Sequence, residues 1–103
     1  MRFKPIAVVN KHHRLAGEYI GRGSPLGNPF PIQGTDTRAI VIEKYRHWLR
    51  DQIDSGNEVV INELQRLAEI AMQRPLSLQC FCKPQPCHGD VIKEVIETAL
   101  RKA

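Results

Sequence analysis

The fold of this chain is decided by the stretch Leu76-Ser77-Leu78-Gln79-Cys80-Phe81-Cys82, which the short segment Lys83-Pro84-Gln85-Pro86 joins to Cys87-His88-Gly89-Asp90-Val91-Ile92. In the first part apolar and polar residues alternate, which predicts a β-strand with one buried face. After the proline-containing loop, apolar residues recur at helical spacing as far as Leu100. The chain therefore turns here from a strand into a helix, a connection typical of α/β domains.

Two further strands are predicted near the start of the chain. Ile6–Asn10 is a short apolar run after Pro5 and is interpreted as a buried strand, and Glu18–Ile20 is a second, shorter candidate. With 103 residues, the chain has room for one hydrophobic core. We therefore expect a single domain over residues 1–103, of the α/β class, with a mostly parallel sheet, flanking helices and a ligand crevice at the carboxyl ends of the strands.

The middle of the chain predicts two helices. An apolar stripe from Thr37 to Ile53 indicates a core-facing helix, which Gly56 or Asn57 ends in a left-handed conformation. Candidates for its N-cap are Thr35, Asp36 and Thr37. A second stripe, containing Val60, Ile61, Leu64, Leu67, Ala68, Ala71 and Met72, ends before Pro75. The two helices are expected to form a hairpin.

Composition limits the classes of partner. Hydrophobic residues make up 42% of the chain and charged residues 25%, as in ordinary globular domains. The net charge of +4 favours anionic partners without choosing among them. Because the charges are spread over helix faces and aromatic residues are only 6%, an ordinary solvated surface is favoured over a nucleic-acid interface. The first residues lack the apolar region of a signal peptide. We expect a cytoplasmic protein without a membrane partner.

The first loop with functional character is Gly21-Arg22-Gly23-Ser24-Pro25-Leu26-Gly27-Asn28-Pro29-Phe30. Turn chemistry explains its glycines and prolines, and Asn28 can bond its local backbone. Arg22 and Ser24 are less well explained, because a guanidinium in a stiff glycine loop also presents donors to phosphate or carboxylate. The pattern is neither a P-loop nor the dinucleotide loop that opens directly into a helix. Simple turns and an anion site both remain open.

The second loop contains four metal-ligand candidates, Cys80, Cys82, Cys87 and His88. Their number suits zinc, but the adjacent pair and the Cys-x-Cys pair on an extended strand fit one tetrahedron poorly. A disulfide set is not favoured either, because three cysteines leave one unpaired and cytosolic thiols stay reduced. In the third interpretation, Cys80 and Cys82 are core residues and only Cys87–Asp90 is functional.

The segment Cys87–Asp90 opens the last helix. Unpaired N–H groups and the helix dipole favour a thiolate or a bound anion there. His88 can donate to a phosphate or act as an acid or base. Asp90 is interpreted as a helix cap or first-turn acid, with binding of ribose hydroxyls or catalysis as the alternative.

Three motifs stand out along the whole sequence: Tyr19-Ile20-Gly21-Arg22-Gly23-Ser24-Pro25-Leu26-Gly27-Asn28-Pro29-Phe30, Tyr45-Arg46-x-Trp48-Leu49, and Cys80-x-Cys82-x-Pro84-x-Pro86-Cys87-His88-Gly89-Asp90-Val91-Ile92. In order and spacing they resemble a small domain family of unknown function found in bacteria and their phages. More remotely, the layout resembles the Rossmann-like domains of nucleotide-sugar and ADP-ribose binders and of nucleotide-processing lysine-decarboxylase-like proteins. The Gly-Gly-Gly loop and Glu motif of the last group are missing, so N-glycosidic hydrolysis does not carry over.

The main hypothesis is a binding module for a phosphorylated nucleotide or an ADP-ribose-like ligand. Its ligand-binding residues are Gly21, Arg22, Gly23, Ser24, Asn28, His88, Gly89 and Asp90. The occurrence of the resembling family in phages suggests that such a module acts on host nucleotide signalling.

Two other functions remain open. One is a nucleotide-processing hydrolase in which Cys87, His88 and Asp90 are catalytic. The other is a zinc-stabilised interaction domain that uses Cys80, Cys82, Cys87 and His88 as ligands. No cofactor is favoured, zinc is the one candidate, and the sequence does not decide whether the protein is an enzyme.

Overall fold

The computed structural model describes residues 2–10, 17–30, 37–80 and 87–102. Within these ranges the chain forms a small α/β domain. Its elements are β1 (Ile6–Asn10), β2 (Glu18–Tyr19), α1 (Arg38–Asp54), α2 (Glu58–Gln73), β3 (Leu76–Cys80) and α3 (His88–Lys102). The predicted strands and helices are confirmed, whereas the predicted extension of the last strand to Cys82 lies outside the described residues.

The sheet is parallel, and its middle strand comes last along the chain. The strand order is β1-β3-β2, with Ile6 beside Leu76 and Glu18 beside Leu78. Because all three strands run the same way, their carboxyl ends lie at one edge of the sheet. The glycine loop, residues 21–30, starts from this edge after Ile20, whose N–H donates to the Gln79 carbonyl at 3.0 Å.

One face of the sheet forms the core. Leu76, Leu78 and Cys80 are buried there, while Ser77 and Gln79 on the other face are half-buried. Helices α2 and α3 contact the sheet, and α1 packs against both of these helices. An ion pair between Arg66 of α2 and Glu18 of β2, with atoms 2.7 Å apart, joins the edge strand to the helical layer.

The helix ends follow the predicted capping chemistry. The Thr37 side chain accepts the N–H of Ile40 at 3.2 Å, which selects it among the N-cap candidates; Thr35 and Asp36 lie outside the described residues. Gly56 has φ +76 and makes the left-handed turn after α1, and Asn57 caps α2. Met72 departs from its predicted place in the core stripe, because its side chain is 43% exposed. None of the helices in the described ranges combines the length and apolar character needed to cross a bilayer.

The start of α3 lies directly against the sheet because Gly89 has no side chain. A Cβ atom at this position would come 2.7 Å from Cγ1 of Val8 and 2.9 Å from Cδ1 of Ile20. Both distances are shorter than ordinary van der Waals contact. Gly89 therefore permits the close approach that brings the second motif to the edge of the sheet.

We predict that Gly89→Ala lowers the free energy of unfolding by about 1–2 kcal/mol, because overpacking outweighs the better helix propensity of alanine. Urea unfolding measures this change. The matched control is Thr98→Ala on the exposed side of the same helix, which should change stability by less than about 0.5 kcal/mol. Equal stability of Gly89→Ala and the wild type would contradict the close contact.

Candidate functional site

The start of α3, in the second motif, meets the first motif through a buried hydrogen bond. Nε2 of His88, at the start of α3, lies 2.7 Å from the carbonyl oxygen of Ile20, just before the glycine loop. Because a carbonyl oxygen can only accept, this nitrogen carries the hydrogen, which defines the tautomer of the neutral ring. The His88 side chain is buried, so the bond forms away from water.

A second buried donor holds the far side of the same loop. The Tyr45 hydroxyl, on α1, donates to the carbonyl oxygen of Leu26 at 2.7 Å, and the Tyr45 side chain is fully buried. The rings of Tyr45 and His88 also touch edge to face, with centroids 5.0 Å apart. We call Tyr45 and His88 the loop clamp, because they attach two points to helices, Leu26 within the glycine loop and Ile20 directly before it.

Within the glycine loop, consecutive turns fold the backbone tightly. The Ser24 hydroxyl and N–H both donate to the Gly21 carbonyl, at 2.7 and 3.1 Å, and the N–H of Gly27 donates to the Ser24 carbonyl at 3.0 Å. Gly23 has φ +92, a conformation that other residues rarely adopt. The Tyr19 hydroxyl donates to the Arg22 carbonyl at 3.0 Å from the exposed side. Turn chemistry therefore accounts for Ser24 as well as for the glycines.

The glycine loop encloses an open cleft of about 430 Å³. Its lining residues are Arg22, Gly23, Ser24, Gly27, Asn28 and Pro29. Asn28 uses its Oδ1 atom to accept the N–H of Phe30 at 2.9 Å, which shapes the end of the loop. The Arg22 side chain is exposed at the cleft. Four of the predicted ligand-binding residues, Arg22, Gly23, Ser24 and Asn28, thus line one cleft, while Gly21 is buried beside it.

The predicted nucleophile has an environment that keeps it protonated. Sγ of Cys87 lies 3.2 Å from Sγ of Cys80, and both free thiols are buried. Burial and the Cys80 thiol raise the pKa of Cys87 to about 12, although an N–H of Gly89 acts in the opposite direction. The rise in the pKa of Cys87 caused by desolvation therefore outweighs the effect of the helix start, which by itself favours a thiolate.

Asp90 caps the last helix. Its Oδ2 atom accepts the backbone N–H of Cys87 at 3.1 Å, which satisfies a donor just before α3. This is the helix-cap role that the sequence analysis expected. Gly89 and His88 are buried against Ile20, just before the glycine loop, whereas Asp90 is half-buried.

The zinc hypothesis rests in part on Cys82, which lies outside the described residues. Of the other three candidates, Cys80 and Cys87 contact each other, and Nε2 of His88 is bonded to the Ile20 carbonyl. No group of three or more metal-binding side chains occurs among residues 2–10, 17–30, 37–80 and 87–102. Zinc binding therefore remains a hypothesis without a site in the described part of the chain.

Sequence reasoning missed the part played by Tyr45. Its place on the apolar stripe of α1 predicted a core residue, and it is one, but its hydroxyl also reaches the glycine loop. The signal was available, because a buried tyrosine hydroxyl needs a hydrogen-bond partner. The partner itself, a carbonyl nineteen residues earlier in the chain, could not be identified from spacing.

We predict that His88 makes the protein less stable in acid. Burial lowers the pKa of His88, although its bond to Ile20 and the Asp90 charge oppose the effect. Below the ordinary histidine pKa of 6.5, the unfolded chain therefore binds a proton that the folded protein binds less readily. The free energy of unfolding should fall below that pH, by at most about 1.4 kcal/mol per pH unit for this proton.

Urea unfolding between pH 5 and pH 8, roughly the range in which histidine titrates, tests this prediction in two variants. His88→Gln keeps an N–H donor and should flatten the acid slope. His47→Gln, on the exposed surface of α1, is the matched control and should retain the wild-type slope. Identical slopes in all three proteins would show that His88 does not contribute.

We also predict that Cys87 reacts slowly with iodoacetamide. With a pKa of about 12, roughly one Cys87 side chain in 10⁴ is ionised at pH 8, and the sulfur is buried. Peptide mapping by mass spectrometry should show alkylation at least about a hundredfold slower than at an exposed Ser55→Cys control. Comparable rates would mean that Cys87 is an accessible thiolate.

Comparison with known proteins agrees with the resemblance to a family of unknown function. Residues 8–98 match the model of the family described as "Domain of unknown function (DUF4326)". The chain is also similar to the "Uncharacterized 12.4 kDa protein in nrdA-td intergenic region" of Enterobacteria phage T4, with 34% identity over 89 residues, 86% of this chain and 75% of the phage protein. No solved structure gives a significant match. Since the family model covers both motif loops, the chain belongs to the DUF4326 family.

Proposed function

We propose that this domain binds a phosphorylated nucleotide or an ADP-ribose-like ligand in the cleft of the glycine loop. The observation that carries the proposal is the position of Arg22. Its guanidinium is exposed at the cleft, and it forms no ion pair within the described part of the chain. An arginine in this state offers a planar set of donors that matches phosphate oxygens.

Other arginines of the domain show the contrast. Arg46 bonds both Glu43 and Glu94, at 3.1 and 2.6 Å, and thereby joins α1 to α3. Arg66 bonds Glu63 and Glu18, both at 2.7 Å. These guanidiniums have structural partners, whereas Arg22 extends from a rigid loop beside an open cleft. Exposed arginines such as Arg50 on α1 also form no ion pair among the described residues, so what distinguishes Arg22 is its place on the glycine loop at the cleft. Turn chemistry does not require a cation there.

The place of the cleft in the fold supports the same function. It lies at the carboxyl edge of a parallel sheet, where open α/β sheets commonly bind their ligands. Its volume of about 430 Å³ falls within the usual range for small-molecule sites. A Rossmann-like relationship is part of this proposal and rests on the parallel sheet and on the strand-to-helix connection.

In the proposed complex, Arg22 and the backbone N–H of Gly23 hold a phosphate group, and Asn28 orients the sugar or base. The N–H and hydroxyl of Ser24 are bonded to the Gly21 carbonyl, so Ser24 shapes the loop around the phosphate. His88 and Gly89 were expected to form a second anion site at the start of α3. Because both are buried, their contribution in this proposal is to support the glycine loop from below.

Binding is favoured over thiolate catalysis. A nucleophilic cysteine needs a lowered pKa and access to its substrate. Cys87 has a raised pKa and is 2% exposed. Asp90, the expected partner in acid–base chemistry, is bonded to the backbone as a helix cap.

We predict that the protein binds ADP and ADP-ribose but not adenosine, and that Arg22→Gln weakens binding of both ligands by about tenfold or more. Loss of a charge-assisted hydrogen bond costs about 1.5–3 kcal/mol, which corresponds to this factor. Isothermal titration calorimetry with each ligand measures the affinities. Adenosine is the matched ligand without phosphate.

The control variant is Arg50→Gln, which removes the same charge from the exposed surface of α1. It should leave the affinity for ADP within about twofold, because exposed charges away from the site are screened by salt. Wild-type protein that binds neither phosphorylated ligand would overturn the proposal. Equal losses in Arg22→Gln and Arg50→Gln would reduce it to a general effect of net charge.

A further inference from the structure

We propose that the loop clamp, Tyr45 and His88, positions the glycine loop for its ligand without touching that ligand. The inference rests on the proposed function, because it concerns the affinity of the same cleft. It assigns a role to two buried side chains that the proposed binding contacts do not include.

The hydrogen bonds within the glycine loop define its turns, but they do not fix the position of the loop relative to the sheet and the helices. Those of Ser24 and Gly27 join residues three apart, so they do not attach the loop to the rest of the domain. Such short-range turns open readily once the loop is released, which exposes their N–H groups to exchange. Attachment to the domain needs contacts with residues far away along the chain. The loop clamp supplies two, to Leu26 from a helix nineteen residues later and to Ile20 from one sixty-eight residues later.

The two attachment points lie on either side of Arg22. Ile20 precedes the residue and Leu26 follows it, so the segment that carries the guanidinium is held at both ends. Each acceptor is a backbone carbonyl that receives a buried donor. Removing either donor leaves a buried carbonyl without its partner. This loss raises the free energy of the clamped loop conformation relative to conformations in which water reaches the carbonyl.

The consequence for the ligand is preorganisation. When a loop samples several conformations, only the competent fraction binds, and the apparent affinity falls by that fraction. Two anchors flanking Arg22 keep the loop in one arrangement before the ligand arrives. Edge-to-face contact between the rings of Tyr45 and His88 links the anchors, so that loss of one also loosens the other.

Amide hydrogen exchange measured by NMR tests this role in the protein without ligand. In Tyr45→Phe, the N–H groups of Ser24 and Gly27 should exchange about tenfold faster relative to amides in the middle of α2, because one buried hydrogen bond to the loop is lost. Normalising to α2 separates loop opening from a general loss of stability. Unchanged relative exchange at both loop amides would overturn the inference.

Tyr19→Phe is the matched control. It removes a tyrosine hydroxyl that also donates to a carbonyl of the glycine loop, that of Arg22, but at an exposed site. Water can replace the lost donor there, so exchange at Ser24 and Gly27 should change by less than about threefold. An increase in loop exchange as large as that in Tyr45→Phe would mean that burial of the hydrogen bond does not determine how strongly it protects the loop.

The second anchor is tested by a pair of substitutions at His88. His88→Leu removes the donor to the Ile20 carbonyl and should accelerate loop exchange as Tyr45→Phe does. His88→Gln retains an N–H at a similar distance from the backbone and should restore most of the protection. Equal exchange in the two variants would exclude the hydrogen bond as the cause.

Affinity for ADP in the same variants separates this inference from the proposed function. Tyr45→Phe and His88→Leu should weaken ADP binding by about the factor by which loop exchange rises, and Tyr19→Phe should not. Accelerated loop exchange together with full ADP affinity would overturn the positioning role. A wild-type protein that binds no ADP, but whose loop opens in Tyr45→Phe, would overturn the proposed function and support the clamp.

Discussion

The hydrogen bond from His88 to the Ile20 carbonyl is the constraint on which the candidate site depends. It joins the start of the last helix to the end of the edge strand, so the two motif loops occupy one edge of the sheet. Gly89, the next residue, permits the close approach of α3 to the sheet beside this bond. A buried polar bond of this kind determines one arrangement, because every alternative leaves a carbonyl or a ring nitrogen without a partner. In the described residues, every buried side-chain nitrogen and oxygen atom has a partner.

Two arginines of the domain join structural elements through ion pairs, whereas others are exposed and form no such pair among the described residues. Arg46 and Arg66 each bind two carboxylates and join one element to another. Such exposed pairs contribute little stability individually, but they help to select the relative placement of helices and strands. Arg22 differs from other unpaired arginines such as Arg50 because it lies on the glycine loop beside the cleft. The proposed binding function rests on this position of Arg22 rather than on the family, whose description names no activity.

The cysteines show how position and environment can act in opposite directions. At the start of a helix, a thiol is expected to lose its proton readily. Cys87 occupies that position, but burial and contact with Cys80 raise its pKa instead. The sulfurs of Cys80 and Cys87 therefore both belong to the core. One interpretation of the sequence predicted this for Cys80. Only the environment created by the folded chain could decide between a reactive and a structural thiol.

The sequence by itself determined the elements and their ends, because these depend on local periodicity and capping. The stripe of α1, the cap at Thr37, the turn at Gly56 and the alternation of Leu76–Cys80 were all predictable within a residue or two. The convergence of the two loops also followed from a parallel sheet. Tertiary structure alone decided which donor reached which carbonyl: Tyr45 finds Leu26 and His88 finds Ile20 across long separations in the chain. These pairings depend on how α3 packs on the sheet and how α1 packs on α3, and residue spacing carries no information about that packing.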